Sequence, residues 1–342
     1  MIHLDNVILN AGTFSLSVTL QVANNEYVVV LGRSGCGKTM LLESICGLRR
    51  IESGTLHIDG HDCTAADPRF RKVGYVPQES SLFGNMSVEK NIGFGLAVAQ
   101  KSHREIAATV HKLSEMLSIG NLLERRTTNL SGGERQRIAL ARALAVSPSV
   151  MLFDEPVSAV DESARNSICK ELAALQQQLS IPFVHVCHSV EETSLVATRV
   201  AIMRDGRIFR QGALEDLLEH PKDVYTAGLL KTDNVLSVKG DGNDGCFICN
   251  GTVLQGPIAR NVASVMIHPW NIRFASAEHA VNTVEATVMH IRRRGPQVEL
   301  GLGAGVPLRM FSTPEEVSSK SISPGSAVTV SLPPEFLQAL EG

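Results

Sequence analysis

Gly32-Arg33-Ser34-Gly35-Cys36-Gly37-Lys38-Thr39 fits the pattern G-x-x-x-x-G-K-[ST] and follows a β-branched run, Tyr27-Val-Val-Val-Leu31. A helical pattern comes next, Lys38–Cys46, closed by Gly47. Strand, glycine-rich loop and helix in that order restrict the chain to folds in which a parallel sheet presents loops at its carboxyl edge. Glycines there let backbone N–H groups wrap phosphates, and the helix N-terminus favours negative charge. Lys38 is then placed to reach β- and γ-phosphates, and the Thr39 hydroxyl to reach Mg²⁺. The plain alternative is a glycine-rich turn that binds nothing; the strand before it and the helix after it weigh against that reading.

Two more apolar runs, Val150–Phe153 and Phe183–Cys187, read as buried strands of the same sheet, and Glu134–Ala145 as a helix stopped by Pro148. Strands alternating with helices indicate an α/β fold. Asp154 and Glu155 emerge at the carboxyl end of Val150–Phe153, the ligand edge of such a sheet. Asp154 suits Mg²⁺, through water, and Glu155 suits the orientation or deprotonation of an attacking water. Adjacent acids are commonly solvated loop residues; the four apolar residues before these set them apart. An ATPase, a GTPase and a small-molecule kinase all remain open at this point.

At 342 residues the chain exceeds one such core. Beyond about residue 230 the texture changes to period-two runs, Val284–Met289 and Ala327–Leu332, which indicate a small all-β domain over 231–342 with its edge near Lys231–Asn234. Hydrophobic residues at 44 % exclude disorder as the main state, and aromatics at 4 % make the cores aliphatic. Net charge is −3 with no basic half, which speaks against a nucleic-acid or polybasic membrane surface. The N-terminus does not read as a secretory signal, and no run approaches the roughly 18 apolar residues of a spanning helix. Seven cysteines, an odd number, read as free thiols in a reducing cytosol.

Leu130-Ser-Gly-Gly-Glu134 precedes the helix to Ala145, and Ser131 with Glu134 satisfies a capping box. Two glycines in a first turn cost about 1 kcal/mol each relative to alanine. A cap does not need them, but a helix end that must approach an anion closely does.

With this motif the order of elements resembles the ATP-binding subunits of ABC transporters. The residues that carry the resemblance are loop 32–39, Gln78 after Val73-Gly-Tyr-Val-Pro77, Leu130–Glu134, Asp154-Glu155, Ser158-Ala-Val-Asp161 and His188, spread over residues 1–230. The resemblance implies a P-loop NTPase domain over 1–230, with a helical subdomain at about 79–135, that binds ATP through Gly32, Arg33, Ser34, Gly35, Cys36, Gly37, Lys38 and Thr39. Thr39, Gln78 and Asp154 become Mg²⁺ residues, and Glu155, His188 and Gln78 catalytic ones. It further implies a head-to-tail homodimer in which Ser131 and Gly133 contact the γ-phosphate of the other subunit's ATP and Asp161 couples the two sites. His185 lies on the apolar strand and reads as structural, whereas His188 stands past the strand end.

The implied partners are transmembrane permease subunits and, indirectly, a periplasmic or surface substrate-binding protein, with no nucleic acid. The implied place is the cytoplasmic face of the membrane, as a peripheral subunit. Glu79–Asn91, with Leu82, Phe83 and Met86, corresponds to the family's permease-facing surface and reads equally as a local hydrophobic cluster.

Residues 231–342 resemble the oligomer-binding-type regulatory domain of importer ATPases, nearest the molybdate/tungstate group. The chain's resemblance to that group is carried by Phe14–Leu20 and Glu26–Val28 in the first domain and by Asn282–Leu302, Gly305–Leu308 and Ser323–Gly325 in the second. In that group the domain can bind the transported oxyanion and restrain the ATPase. Sulfate, ferric iron or a polyamine are the other cargoes considered, and a soluble non-transport ABC ATPase the other class; the latter calls for a basic surface or a long coiled coil, and neither is visible. Arg292-Arg293-Arg294 reads as solvated surface, and Cys246-Phe-Ile-Cys249 as free thiols, since no second pair completes four metal ligands.

The chain departs from the family pattern in four places. No aromatic residue stands at Asn10–Thr13 to stack on adenine, and Phe14 is the nearest. Glu134 replaces a commoner Gln, Ser189 a commoner Asp, and Ile267-His-Pro-Trp270 a commoner Arg-Pro-Glu.

Overall fold

In a computed structural model, which describes residues 1–158, 160, 162–232, 234–240, 245–249, 252–256, 262–276 and 281–341, the apolar runs form the centre of one sheet. The chain divides into two units, Met1–Leu214 and Glu215–Gly342. The first begins with β1 (Ile2–Ala11), β2 (Phe14–Val22), β3 (Tyr27–Leu31), α1 (Lys38–Cys46), β4 (Ser53–Ile58), β5 (His61–Asp62) and β6 (Val73–Val76). Three helices follow, α2 (Val88–Val98), α3 (His103–Met116) and α4 (Gly132–Ala145). The unit continues with β7 (Val150–Asp154), α5 (Glu162–Leu179), β8 (Phe183–Cys187), α6 (Val190–Val196), β9 (Arg199–Arg204) and β10 (Arg207–Gly212).

A six-stranded sheet has the order β10-β9-β3-β8-β7-β6, parallel except for β10. Every residue of β3, β7 and β8 is buried, as strands covered on both faces must be. The parallel arrangement puts the ends of β3, β6, β7 and β8 on one edge, so the chain leaves the sheet there at Gly32, Pro77, Glu155 and His188. The strand read as Val150–Phe153 runs one residue further, because Asp154 still pairs with Val186 of β8.

A second, antiparallel sheet, β2-β1-β4-β5, escaped the sequence reading. The reason is local: β1 carries a bulge between Leu4 and Val7, with Asn6 at φ 46, so its period-two pattern slips in mid-strand. Gly54 of β4 sits opposite that bulge at φ 84, and a Cβ there would stand 2.2 Å from the Asn6 carbonyl oxygen. The buried residues Ile2, Leu4, Leu16 and Leu56 of this sheet share one aliphatic core with Leu41 and Ile45 of α1 and Val28, Val150 and Val184 of the large sheet.

At its carboxyl end α1 is closed by Gly47 in the left-handed conformation and by buried Arg71. That guanidinium donates to the Ser44 carbonyl at 2.6 Å, Ile45 at 3.1 Å and Ala66 at 2.9 Å. Two helix carbonyls with no continuing helix thus gain a charged donor, an interaction of about 1.5–3 kcal/mol.

The second unit takes up α7 (Leu214–Glu219) after its first residue, α8 (Val224–Leu229), β11 (Val235–Ser237), β12 (Lys239–Gly240), β13 (Cys246–Cys249), β14 (Thr252–Gln255) and β15 (Ser264–Met266). It goes on to β16 (Arg273–Phe274), β17 (Thr283–Arg294), β18 (Gln297–Gly303), β19 (Pro307–Ser312), α9 (Pro314–Ser319), β20 (Ala327–Ser331) and β21 (Gln338–Leu340). The strands pair antiparallel in a five-stranded sheet β16-β20-β17-β18-β19 and two three-stranded sheets, β11-β15-β21 and β12-β13-β14, and a parallel bridge joins Asp223 to Glu341. Its separate core is again mostly aliphatic, with Leu236, Val265, Leu300, Leu302, Met310 and Val330 buried together. Residues 215–230, attached to the first domain by sequence texture, pack here: Ala227 joins Met266 and Leu340, and the Val224 N–H donates to the Glu341 carbonyl. Among the described residues no helix is long and apolar enough to cross a membrane.

Replacing Arg71 with Met keeps the volume but withdraws the donors. Urea unfolding is expected to show a loss of about 1–3 kcal/mol, and an unchanged midpoint would remove Arg71 from the closure of α1.

Candidate active site

Gly35 and Gly37 both have positive φ, 81 and 104, as the loop turns into α1. Gly37 is also hemmed in, since a Cβ on it would lie 2.9 Å from Phe14 Cζ and 3.2 Å from Met203 Cε. The first turn of α1 has no side-chain cap and no acidic residue, so its leading N–H groups stay available to an anion. Lys38 is only 7 % exposed, and its ammonium donates to the carbonyls of Gly32 at 2.9 Å and Arg33 at 3.1 Å, which keeps it over the loop. Cys36 is buried, and burial pushes its thiol up, so it stays protonated.

Thr39 and Asp154 meet across the sheet edge. The Thr39 hydroxyl donates to Asp154 Oδ1 and the Tyr75 hydroxyl to Oδ2, both at 3.2 Å. Asp154 is 5 % exposed, and burial pushes its carboxyl above the ordinary range despite both hydrogen bonds. A buried carboxylate that accepts from a neighbouring threonine hydroxyl is an oxygen-donor pair whose charge a hard divalent cation would offset.

Glu155 begins the next turn at φ 45, a left-handed backbone that a non-glycine residue holds only when its surroundings fix it. Its N–H donates to the Val186 carbonyl at 3.0 Å, and Ser158 binds its carbonyl through both N–H (3.2 Å) and hydroxyl (2.9 Å). Gln78 Nε2 donates to Glu155 Oε2 at 3.4 Å, while His188 Nδ1 lies 3.4 Å from Oε1. One carboxylate, 20 % exposed, thus stands between an amide from the end of β6 and a 60 %-exposed imidazole from the end of β8. A water between them and a phosphate would meet a base already oriented on both sides.

Ser131 and Gly133 open α4. The Glu134 N–H donates to the Ser131 hydroxyl at 3.3 Å and the Ser131 N–H to the Glu134 carboxylate at 2.7 Å, which completes the capping box and holds that carboxyl below its ordinary range. A Cβ on Gly133 would meet only Ile168 Cδ1, at 3.9 Å, an ordinary contact. Among the described residues nothing therefore requires glycine there. No hydrogen bond or ion pair among the described residues joins Ser131 or Gly133 to Gly32–Thr39. Asp161 lies outside the described residues.

The remaining sequence candidates make other contacts. Phe83 packs against Phe94 with ring centroids 4.7 Å apart and planes tilted by 51°, beneath the Arg142 guanidinium. Arg292 and Arg293 are exposed, and Arg294 pairs with Glu299 at 3.1 Å. Cys246 and Cys249 are free thiols on β13. Phe14, the nearest aromatic to the adenine position, packs on Gly37 and on the core. Tyr75 is the site residue that sequence reasoning missed. Only its register on β6, opposite Leu152 of β7, brings its hydroxyl to Asp154, and no motif marks that.

The chain is similar to known proteins over both of its units. Residues 16–158 match the ABC transporter family and residues 265–340 the TOBE domain. The molybdate/tungstate import ATP-binding protein of Pyrococcus abyssi is 33 % identical over 337 residues, 97 % of each chain. The spermidine/putrescine import ATP-binding protein of Ruegeria pomeroyi is also 33 % identical, over 333 residues, 94 % of this chain and 90 % of its own. Among solved structures, the ATP-binding cassette MJ0796, a dimer in a post-hydrolysis state with ADP and Pi, aligns with TM-score 0.56 and 26 % identity over 63 % of this chain and 99 % of its own.

Asp154 tests the site through stability and turnover together. A carboxyl whose folded pKa is raised costs stability once ionised, a cost that appears as pH rises through its unfolded pKa. At pH 7 Asp154→Asn is therefore expected to keep or raise the melting temperature of the nucleotide-free protein while abolishing ATP turnover; a lowered melting temperature with turnover intact would make Asp154 a purely structural residue.

Proposed function

The chain belongs to the ABC transporter family, and from that premise we propose that its ATPase cycle drives import of an oxyanion, molybdate or tungstate, through separate permease subunits on whose cytoplasmic face it sits as a peripheral homodimer. At the coarser level it is the ATP-hydrolysing subunit of an ABC importer. The reading of the mechanism rests above all on one observation, the convergence of Gln78 and His188 on Glu155 at the sheet edge that also carries Lys38 and Asp154.

ATP phosphates lie along the N–H groups of 32–39 and the start of α1, and Lys38 exchanges the Gly32 and Arg33 carbonyls for β- and γ-phosphate oxygens. Thr39, Asp154 and Gln78 would hold Mg²⁺, and when bound the ion would neutralise charge on the phosphates. Glu155 orients the water and takes its proton, with Gln78 fixing one carboxylate oxygen and His188 reaching from the other toward the γ-phosphate. The γ-phosphoryl passes to that water, leaving ADP and inorganic phosphate. Ser131 and Gly133 of a second copy close the far side of the nucleotide; an α4 start whose glycine is not required by any described residue supports this.

The oxyanion reading is supported by the molybdate/tungstate relative, whose match runs through both units. The polyamine relative matches at equal identity, so cargo is decided by ligand. Calorimetry of the full chain is expected to give saturable heat with molybdate or tungstate and a slowed ATPase in their presence. Silence with both anions alongside a spermidine signal would move the cargo to polyamines. Co-purification with two membrane permeases is expected as well, and association with nucleic acid without them would sink the transporter reading.

Two substitutions test the mechanism. In Glu155→Gln a stable ATP-bound dimer should accumulate while turnover falls at least about tenfold, or 1.4 kcal/mol of barrier. Gly133→Ala should leave stability unchanged or raise it by up to about 1 kcal/mol through helix propensity, yet suppress ATPase; full activity in that variant would separate α4 from the nucleotide.

A further inference from the structure

We propose that His185, Cys187 and Glu192 form a buried binding site for a thiophilic divalent cation of the zinc class, separate from the nucleotide site. The inference stands apart from the transport reading and uses residues that no step above employs. His185 and Cys187 are two residues apart on β8, so the pleat directs both to one face of the sheet, and Glu192 comes from α6, whose first residue is three positions past the end of β8. Their ligand atoms, an imidazole nitrogen, a sulfur and a carboxylate oxygen, all lie within 4.8 Å of one another.

Burial is nearly complete, with His185 0 %, Cys187 1 % and Glu192 6 % exposed. In such a place polar atoms need partners. Yet His185 Nε2 and Glu192 Oε1, 2.8 Å apart, meet in an orientation that makes no hydrogen bond, and among the described residues neither atom has another hydrogen-bond partner. Two unsatisfied ligand atoms facing one another beside a thiol are what an ion between them would satisfy.

The surroundings fit a coordinating histidine. Nδ1 is 3.0 Å from the buried Tyr27 hydroxyl; with the proton on Nδ1 donated to Tyr27, Nε2 presents its lone pair to the ion. Rings of Phe153 and Tyr27 flank the imidazole, at centroid distances of 6.0 and 5.9 Å, and keep the place dry. Cys169 of α5 is fully buried and within electrostatic reach of Glu192.

Mixed N, S and O donors select zinc-like ions over Mg²⁺ or Ca²⁺, which take oxygen. Charge also balances: one thiolate and one carboxylate neutralise a dication, and the thiol proton leaves to solvent as the metal–sulfur bond forms. Without the ion, burial holds the Cys187 thiol up at about 12 and protonated. Because Cys187 immediately precedes His188, an occupied site would tie α6 to the strand end that carries the exposed imidazole.

The test uses the intact chain loaded with Zn²⁺ or Co²⁺, desalted and analysed for metal. About one equivalent per chain is expected, with a near-ultraviolet thiolate-to-Co²⁺ band and tetrahedral visible absorption. The band should disappear in Cys187→Ser, persist in Cys246→Ser, and be accompanied in the wild type by a higher melting temperature with Zn²⁺. Metal below about a tenth of an equivalent, or a Co²⁺ spectrum without a thiolate band, overturns the proposal on the wild-type protein alone, whatever the folding of the variants. A band that survives Cys187→Ser, or that is lost in Cys246→Ser, overturns it too.

Discussion

Parallel hydrogen bonding among β3, β8, β7 and β6 is the constraint on which the rest depends, because it sets four strand ends side by side. The glycine loop, Gln78, the Asp154-Glu155 pair and His188 each leave from one of those ends. Residues far apart in sequence thereby meet within hydrogen-bonding distance, as Thr39 does with Asp154 and Gln78 with Glu155. β3, β7 and β8 can serve as this frame because they are buried at every position, and β6 at the sheet edge is buried at alternate residues.

The net charge of −3 is no obstacle to a polyanionic substrate in such a frame. Backbone N–H groups, a helix N-terminus and one lysine supply the local field, whatever the surface as a whole carries. The same edge concentrates features that cost stability. Asp154 is buried where its ionised form is disfavoured, Glu155 holds a left-handed backbone, and α4 begins with two glycines. Each is costly to the isolated chain and intelligible when a cation, a water and a nucleotide from a second copy are its counterparts.

Much of this was legible in the sequence wherever a motif coincided with the period of its element. The loop at Gly32, the helix closed by Gly47, and the strands before Asp154 and His188 have the boundaries expected or differ by one residue. What stayed hidden has physical causes. The antiparallel sheet of β1, β2, β4 and β5 was masked by a bulge at Asn6, which shifts alternation in mid-strand. Tyr75 is recognisable only through inter-strand register, and residues 215–230 were grouped by texture where packing on Met266 and Leu340 decides. His185 read as structural on an apolar strand; that its Nε2 faces Glu192 from α6 could be learned only from the fold.

The central claim is that a competent site is shared, with the phosphate loop of one copy facing the start of α4 of another. Mixing two inactive proteins tests it most directly, one carrying Lys38→Ala and the other Gly133→Asp. A shared site predicts that the mixture regains ATPase activity that neither protein has alone, since in a mixed dimer an intact loop meets an intact α4. A mixture no more active than its components would contradict it and would place the whole site within a single chain.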